Sequence, residues 1–545
     1  MSEVTASVKP TAMERALDSI ERIGNKVPNP VIMFAYLIVG IWIISTLLDW
    51  AGVGITEEIA VPVVDPAEVT YYEDTPAYYV DGDVHYEIVE TRVEAHGLLT
   101  IEGLRFIFSN FVSNFTGFTV VGVTFIAMMG AGLAENAGLM NALIRKLVAT
   151  APGGLITFLI VLVGSLSSVA SDAGYLILIP LSAVAFMALG RNPLAGLTAG
   201  FAGVAATFAV NIIPQPTDAM LAEIGNESII PLGVEPMSIL NNYFFGIVSM
   251  LVLCAVAAVI CERVVEPRLG PWDRSLAGDA GDVETEMTAE EKALEAKGLR
   301  NALFGLLGTT VLMVLLTAPS GAPLRDPETG DILGNTPFMD SLLFIIALYF
   351  LVCGIAYGVG SGVIKKADDV VAMIGKTFNS LGGLILMFLM IAQFVAHFNF
   401  SNLPSLIAIW LADLLERAGL GAIPLLVGFI IVIIFLDFIL PGAVPKWAIF
   451  APIFIPVFFN LGVAPQTLMA AYRVGDSPVN TLTPLMVYFP FLVSIAQRYR
   501  KDVGIGTLIS LMLPYAVVMA VVWIILYVLW FVLGIPWGPG YPTNL

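Results

Sequence analysis

The sequence predicts an all-α polytopic membrane protein built around two re-entrant helical hairpins in an inverted repeat, and three observations carry that prediction. First, 58% of the 545 residues are hydrophobic and 13% charged, with a mean hydropathy of +0.88. A water-soluble fold could not cover so much apolar surface. Second, runs long enough to cross a bilayer as helices recur at 31–48, 118–133, 243–260, 302–316, 341–357, 423–440 and 503–533. Roughly nine to eleven membrane-embedded segments follow, and no ten-residue alternation suggests membrane strands. Third, SDAGYLILIP (171–180) and AVPKWAIFAP (443–452) resemble each other at a constant offset of 272, which pairs Tyr175 with Trp447, Pro180 with Pro452 and Pro193 with Pro465. Matching interruptions in the two halves of a chain point to the binding site of a secondary transporter.

Residues 1–30 carry Lys9, Arg15, Arg22 and Lys26 in an amphipathic setting without a leading apolar run. They read as a cytoplasmic segment rather than a cleaved signal. A first transmembrane helix at 31–50 runs outward. The insert at 51–100 holds eleven acids and one base, Arg92, and is expected outside the cell as a solvated acidic stretch. A first transport repeat occupies 101–262. It opens with an interfacial amphipathic helix at 101–115 and a second span followed by Arg145 and Lys146. Its two short arms, 155–163 and 175–189, flank LSSVASDAG, with Arg191 beyond them. Basic residues at both outer ends favour a hairpin entering from the cytoplasm, with two full crossings as the alternative. Residues 263–300 form a polar acidic loop with an exposed helix at 287–299, and 301–420 supply linking helices. The second repeat, 421–533, has arms at 423–440 and 448–460 around PGAVPKW, and Pro514 should kink its last helix. A tail follows at 534–545.

Each hairpin is followed by a helix broken by polar residues: NIIPQPTD (211–218) in the first repeat and YRVGDSPVNTLTP (472–484) in the second. Broken backbone at membrane depth survives only where protein or a wet cavity satisfies it. Asp172 lies among small neighbours at the first hairpin tip, where a charge costs about 2.5–3.5 kcal/mol to insert. It is an ion-coupling and substrate-site candidate, with a helix N-cap as the bland reading. Arg473 can hold a carboxylate through two parallel hydrogen bonds. Asp476, three residues on, is either its structural partner or a coupling group. Trp447 offers a flat face and one N–H donor at the second tip, although membrane tryptophans also populate the headgroup belt. Asn211, Asp218 and Asn480 are candidate ion ligands, with Na⁺ at Asn211 and Asn480 the one metal the pattern invites. The His397, Asn399 and Ser401 cluster reads as a capped helix end, and Glu135-Asn136 as structural. Cys254, Cys261 and Cys353 lack metal-ligand spacing and read as packing residues. No zinc pattern, organic cofactor or nucleic-acid motif is present.

At these residues the chain resembles the AbgT family of p-aminobenzoyl-glutamate transporters and sulfonamide exporters, within the wider ion-transporter superfamily. The motifs are ERIGNKVPNP (21–30), EGLRFIFSNFVSNFTGF (102–118), SDAGY, AGFAGVAATFAVNIIPQPTDAML, and the spacing of Trp447, Pro465, Arg473, Asp476 and Pro484, with Asp172 in the first hairpin. The resemblance implies a homodimer in the plasma (inner) membrane, nine spans plus two hairpins per subunit, and a bowl-shaped aqueous cavity. It implies ion-coupled transport, by symport or antiport, of p-aminobenzoyl-glutamate or related antifolate and sulfonamide anions. Trp447, Arg473, Pro465, Pro484 and Asp172 would contact substrate, while Asp172 and Asp476 would handle H⁺ or Na⁺. The chain departs from the family at the second tip: Asp437 replaces an asparagine, and Val444 and Pro445 stand where serine or alanine is usual. Another small carboxylate is the alternative substrate, a passive channel a rival of another kind, and an intramembrane aspartyl protease a third. The protease reading rests on Gly475-Asp476 and lacks the earlier glycine of its motif, because that position is Arg473.

Overall fold

The computed structural model describes residues 30–63, 69–71, 78–80, 85–149, 152–170, 174–276, 288–332, 336–407, 409–410, 421–438, 440, 442–483, 486 and 488–543. The amphipathic segment before Pro30, Ser171 and Asp172 at the first tip, and Pro484 all lie outside the described residues. The chain is helical almost throughout. Helix α1 (Pro30–Trp50) is followed by α2 (Ile101–Thr116), α3 (Val120–Asn136), α4 (Leu139–Ala149), α5 (Ile156–Ser167) and α6 (Ile179–Ala188). Then come α7 (Pro193–Ala205), α8 (Pro216–Ile229), α9 (Tyr243–Ile260), α10 (Ala289–Thr317), α11 (Leu342–Ser361), α12 (Ala367–Ser380) and α13 (Gly382–Phe400). The second repeat comprises α14 (Ala422–Asp437), α15 (Ala443–Asn460), α16 (Pro465–Asp476), α17 (Phe489–Tyr499) and α18 (Ile505–Val532). Among the described residues eight helical stretches are long and apolar enough to cross a membrane, or nine if the α4–α5 pair, bent by 112°, is one span.

The repeat offset maps onto real boundaries. Pro193 and Pro465 both occupy the first position of the helix after each hairpin, where a missing N–H costs nothing. Arg191 fastens the outer end of the first hairpin. Its guanidinium donates to Glu266 at 2.9 and 2.5 Å and to the Thr157 hydroxyl at 2.9 Å, and lies 4.0 Å over the Phe186 ring.

Three expectations change. The 51–100 insert is not merely a solvated stretch. Strands β1 (Gly54–Val63) and β4 (His85–Glu94) form an antiparallel ribbon from Gly54↔Glu94 to Val63↔His85, with a smaller pair between, β2 (Val69–Tyr71) and β3 (Tyr78–Val80). Acidic composition masked the β-branched residues that favour strands there. The exposed helix expected at 287–299 and the span expected at 302–316 are one helix, α10. Thr288 caps it, and two hydrogen bonds from Thr288 hold the Glu291 carboxyl below its usual range. The break expected to begin at Tyr472 begins at Ser477, because nothing before Pro478 withholds a backbone N–H from the helix.

Helices α10 and α11 pack along each other and α11 packs onto α3, while α1 packs on α13. Both arms of the first hairpin, α5 and α6, lie against α7; α14 lies against α16, and α15 crosses to α8 of the other repeat. Small residues let these helices approach closely, as is usual in membranes. A Cβ on Gly164 would meet the Gly203 backbone at 2.6 Å, and one on Gly203 would meet the Val161 carbonyl at 2.7 Å. Gly203→Val is therefore expected to cost about 1–3 kcal/mol or more through overpacking. The measurement is thermal melting in detergent followed by size exclusion. Gly122→Val, where nothing lies within 4 Å of the added atom, should leave the profile unchanged.

Candidate functional site

The site is assembled from a hairpin tip and two helix breaks. Asp437 is the last residue of α14, and the turn that follows reverses through Gly442 at φ 106°, a left-handed conformation suited to glycine. Pro445 then sits in the first turn of α15, where no intrahelical N–H is required. Lys446 and Trp447 follow in that helix. The Lys446 ammonium lies between two carboxylates, donating to Asp437 Oδ1 and standing 2.8 Å from Asp476 Oδ1. All three residues are essentially inaccessible: 0% exposed for Lys446 and Asp437, 1% for Asp476. Such charges tolerate burial only because they are paired.

The second ion pair spans the repeats. Arg473, one turn earlier on α16, donates through Nη1 to Asp218 Oδ1 at the start of α8 and to the Ala209 carbonyl at 3.3 Å. The other oxygen of Asp218 accepts the Gln215 N–H at 2.7 Å, which ends the break between α7 and α8. The Ala209 N–H in turn donates to the Ser477 hydroxyl at 3.1 Å, where the second break starts. Each interruption thus satisfies polar groups of the other. Arg473 and Asp476 do not pair with each other; they reach different partners.

Trp447 is fully buried. Its Nε1–H donates to the Leu221 carbonyl of α8 at 2.9 Å, and its ring lies 4.8 Å from that of Tyr472 at 40°. Tyr472 donates to the Ala443 carbonyl at 2.5 Å and approaches Asp476 Oδ1 at 3.4 Å. The repeat counterpart of Trp447, Tyr175, stacks instead on Tyr488, 4.2 Å between centroids. Asn211 donates to the Ser165 carbonyl at 2.9 Å and the Ser168 hydroxyl at 3.2 Å, and its Oδ1 accepts from the Ile213 N–H at 3.0 Å. It therefore ties the first hairpin to the first break, and its carbonyl oxygen is already engaged. Asn480 is buried in the short turn Pro478–Thr481, and Pro465 heads α16 away from the ion pairs.

The cluster around His397 is a helix end. Its Nδ1 accepts from the Trp42 indole at 3.3 Å, while Ser401 bonds the Phe398 carbonyl at 2.7 Å. Asn136 donates to the Gly132 carbonyl and the Thr377 hydroxyl, and the three cysteines are free thiols. Among the described residues no group of three or more His, Cys, Asp or Glu side chains could hold a metal ion. Lys446 is the residue that sequence reasoning passed over. The signal was Asp437, whose unusual carboxylate nine residues earlier needed a cation.

Two of the cavities that adjoin α8 bear on the site. The smaller, lined by Gln215, Asp218, Leu221, Tyr472, Arg473 and Asp476, has about 10 Å³ of room for the centre of a water-sized sphere, so it accommodates one water molecule. Gln215 Oε1 and Arg473 Nε, on two of the lining residues, are buried without a hydrogen-bond partner. The larger, about 790 Å³, flanks the opposite side of α8 and is lined by Glu223, Glu227, Glu235 and Asp340 among others. A pocket holding an aromatic anion between the breaks was expected; the junction is instead closed, because Trp447 and Tyr472 fill it.

Interrupted helices from two repeats, meeting at buried ion pairs within a bundle of membrane-long helices, define a polytopic membrane transporter. Comparison with known proteins narrows the class. The chain belongs to the AbgT putative transporter family, whose model matches residues 15–545. It is 33% identical over 526 residues to the p-aminobenzoyl-glutamate transport protein of Escherichia coli K12, covering 96% of each chain. The crystal structure of the Alcanivorax borkumensis YdaH transporter superposes with a TM-score of 0.83 at 33% identity, covering 94% of this chain and all of that one. Neisseria gonorrhoeae MtrF, described with a class of antimetabolite efflux pumps, gives 0.83 at 36% identity, covering 97% of this chain and 100% of that one. The family consists of transporters, so the intramembrane-protease reading falls.

Removing Lys446 would leave the carboxyl groups of Asp437 and Asp476 in a dry interior without their shared cation. Lys446→Met is expected to cost about 3–5 kcal/mol, seen as a large fall in melting temperature in detergent. Adding Asp437→Asn, which removes one of the two acidic groups left without a partner, should recover part of the loss.

Proposed function

We propose that this chain is an ion-coupled secondary transporter of small aromatic carboxylates of the p-aminobenzoyl-glutamate type, working as a homodimer in the plasma membrane with a cytoplasmic N-terminus. The observation that carries the reading is the Arg473–Asp218 pair. A fork-shaped cation at a helix break, held by an internal carboxylate, is a site that an incoming carboxylate can take over. Substrate would replace Asp218 on Arg473 as hairpin 2 moves, and Trp447 would exchange the Tyr472 ring for the aminobenzoyl ring. Asp218 and Asp476 are then left to bind H⁺ or Na⁺ on one side of the cycle. Asp172, between the arms of the first hairpin in the sequence, supplies a further coupling carboxylate on the strength of the family pattern. Coupling requires the ion to bind one access state more tightly than the other. The names of the relatives support the substrate class, and Val444 and Pro445 at the second tip make this chain's preference within that class its own.

Flux of labelled p-aminobenzoyl-glutamate into proteoliposomes, under imposed Na⁺ and proton gradients, tests the proposal. Saturable uptake driven by one gradient is expected. Arg473→Ala should weaken it about ten- to a hundredfold, the worth of a charge-assisted hydrogen bond of about 1.5–3 kcal/mol, and Asp172→Ala should abolish the ion dependence. Flux that neither saturates nor responds to a gradient would make the protein a channel.

A further inference from the structure

Asp437 differs in its surroundings from every other carboxylate at the site. Asp476 is held through Oδ1 by the Lys446 ammonium at 2.8 Å, with the Tyr472 hydroxyl 3.4 Å from the same oxygen. Asp218 is held by Arg473 and by the Gln215 N–H. Asp437 meets Lys446 through Oδ1 alone, and its Oδ2 is buried without any hydrogen-bond partner. The charges also fail to balance. Lys446 and Arg473 bring two positive charges against three negative ones from Asp218, Asp437 and Asp476, leaving one excess negative charge in a region that water scarcely reaches.

We propose that Asp437 is a proton-binding site of hairpin 2, its Oδ2 carrying one proton that neutralises the Lys446-centred cluster. The proton comes from water and forms an O–H bond on a carboxylate, leaving no other group changed. A neutral O–H without a partner is far cheaper to bury than a bare carboxylate oxygen. Among the described residues nothing nearby competes for this role. The packed helix α18 and the turn Pro478–Thr481 contain no charged residue. The α13 helix offers only His397, which is bound to Trp42, and on α8 Glu223 and Glu227 line the wide cavity instead. Of the tyrosines on these elements, Tyr472 donates its proton to the Ala443 carbonyl, Tyr527 donates to the Thr467 carbonyl and Tyr515 lies beside Cys261.

The assignment needs neither substrate nor transport, so its test is separable from that of the proposed function. Infrared difference spectra of the reconstituted protein between neutral and alkaline pH report protonated carboxyl groups through their C=O stretch. The wild type is expected to show such a band, Asp437→Asn to lack it, and Asp437→Glu to keep it at a shifted frequency. Identical spectra for wild type and Asp437→Asn would overturn the assignment. So would loss of the wild-type band on adding Na⁺ at fixed pH, which would make this a cation site. Should the Asn variant not fold, the Asp437→Glu shift decides alone: an unshifted band overturns the proposal.

Discussion

A helix inside a bilayer can stop only where something else receives its unpaired backbone groups, and in this chain each of the two stops receives those of the other. The Ser477 hydroxyl accepts the Ala209 N–H, Arg473 donates to the Ala209 carbonyl, and Asp218 closes the far end of the first break while holding Arg473. Neither interruption would be tolerable alone. The contact between them therefore fixes the position of three helices, α7, α8 and α16, and of the turn after α16, and both hairpins are built onto that frame.

The frame extends outward through polar ties rather than through apolar contact, which discriminates little between protein and lipid. Asn211 joins the first break to α5, and the Thr483 hydroxyl reaches the Phe438 carbonyl in the second hairpin's turn at 3.4 Å. At the opposite end of α16, Thr467 accepts from the Trp537 indole at 2.7 Å and donates to the Thr543 carbonyl at 2.9 Å, while Tyr527 donates to its carbonyl at 3.0 Å. The chain's last residues thus hold the helix that carries Arg473 and Asp476. Hairpin 2 is tied by hydrogen bonds at Ala443 and Trp447, and its ionic commitment runs through Lys446. Lys446 belongs to the hairpin, Asp476 to the frame, so displacing the hairpin means separating or neutralising that pair.

Much of this was legible in the sequence. Apolar run length placed the spans, because a bilayer imposes one length scale on every helix. The 272-residue offset located both hairpins and the first positions of α7 and α16, since prolines mark helix starts in either copy. What could not be read was the pairing. Arg473 lies three residues from Asp476 and 255 from Asp218, and it chooses the distant one. Local spacing left Asp476 open as its partner, whereas the two side chains reach different neighbours, Asp218 and Lys446. The same limit hid Lys446, whose role depends on a turn geometry that brings Asp437 back within reach. The β ribbon after α1 was missed for another reason: its acidic residues dominate composition while its register depends on cross-strand pairing.

A carrier that must close around nothing as well as around its cargo faces an electrostatic problem that Asp218 answers. An arginine kept ready for an anion cannot be buried alone, because its desolvation would not be offset. With Asp218 in place the closed junction is neutral at Arg473 and its cavity shrinks to the size of one water. On the proposed reading, substrate binding is then an exchange of one carboxylate for another. The Coulomb attraction of Arg473 nearly cancels between the two states, and the net affinity depends on what happens to the displaced Asp218. A displaced carboxylate in a low-dielectric region demands a cation, whether a proton or Na⁺. Coupling would follow from that demand alone: without the ion, the exchange leaves a bare buried charge, and with it, the exchange is close to neutral. The selectivity for a particular anion must then come from shape, from the space that Trp447, Tyr472, Val444 and Pro445 define, because charge by itself no longer discriminates between one carboxylate and another.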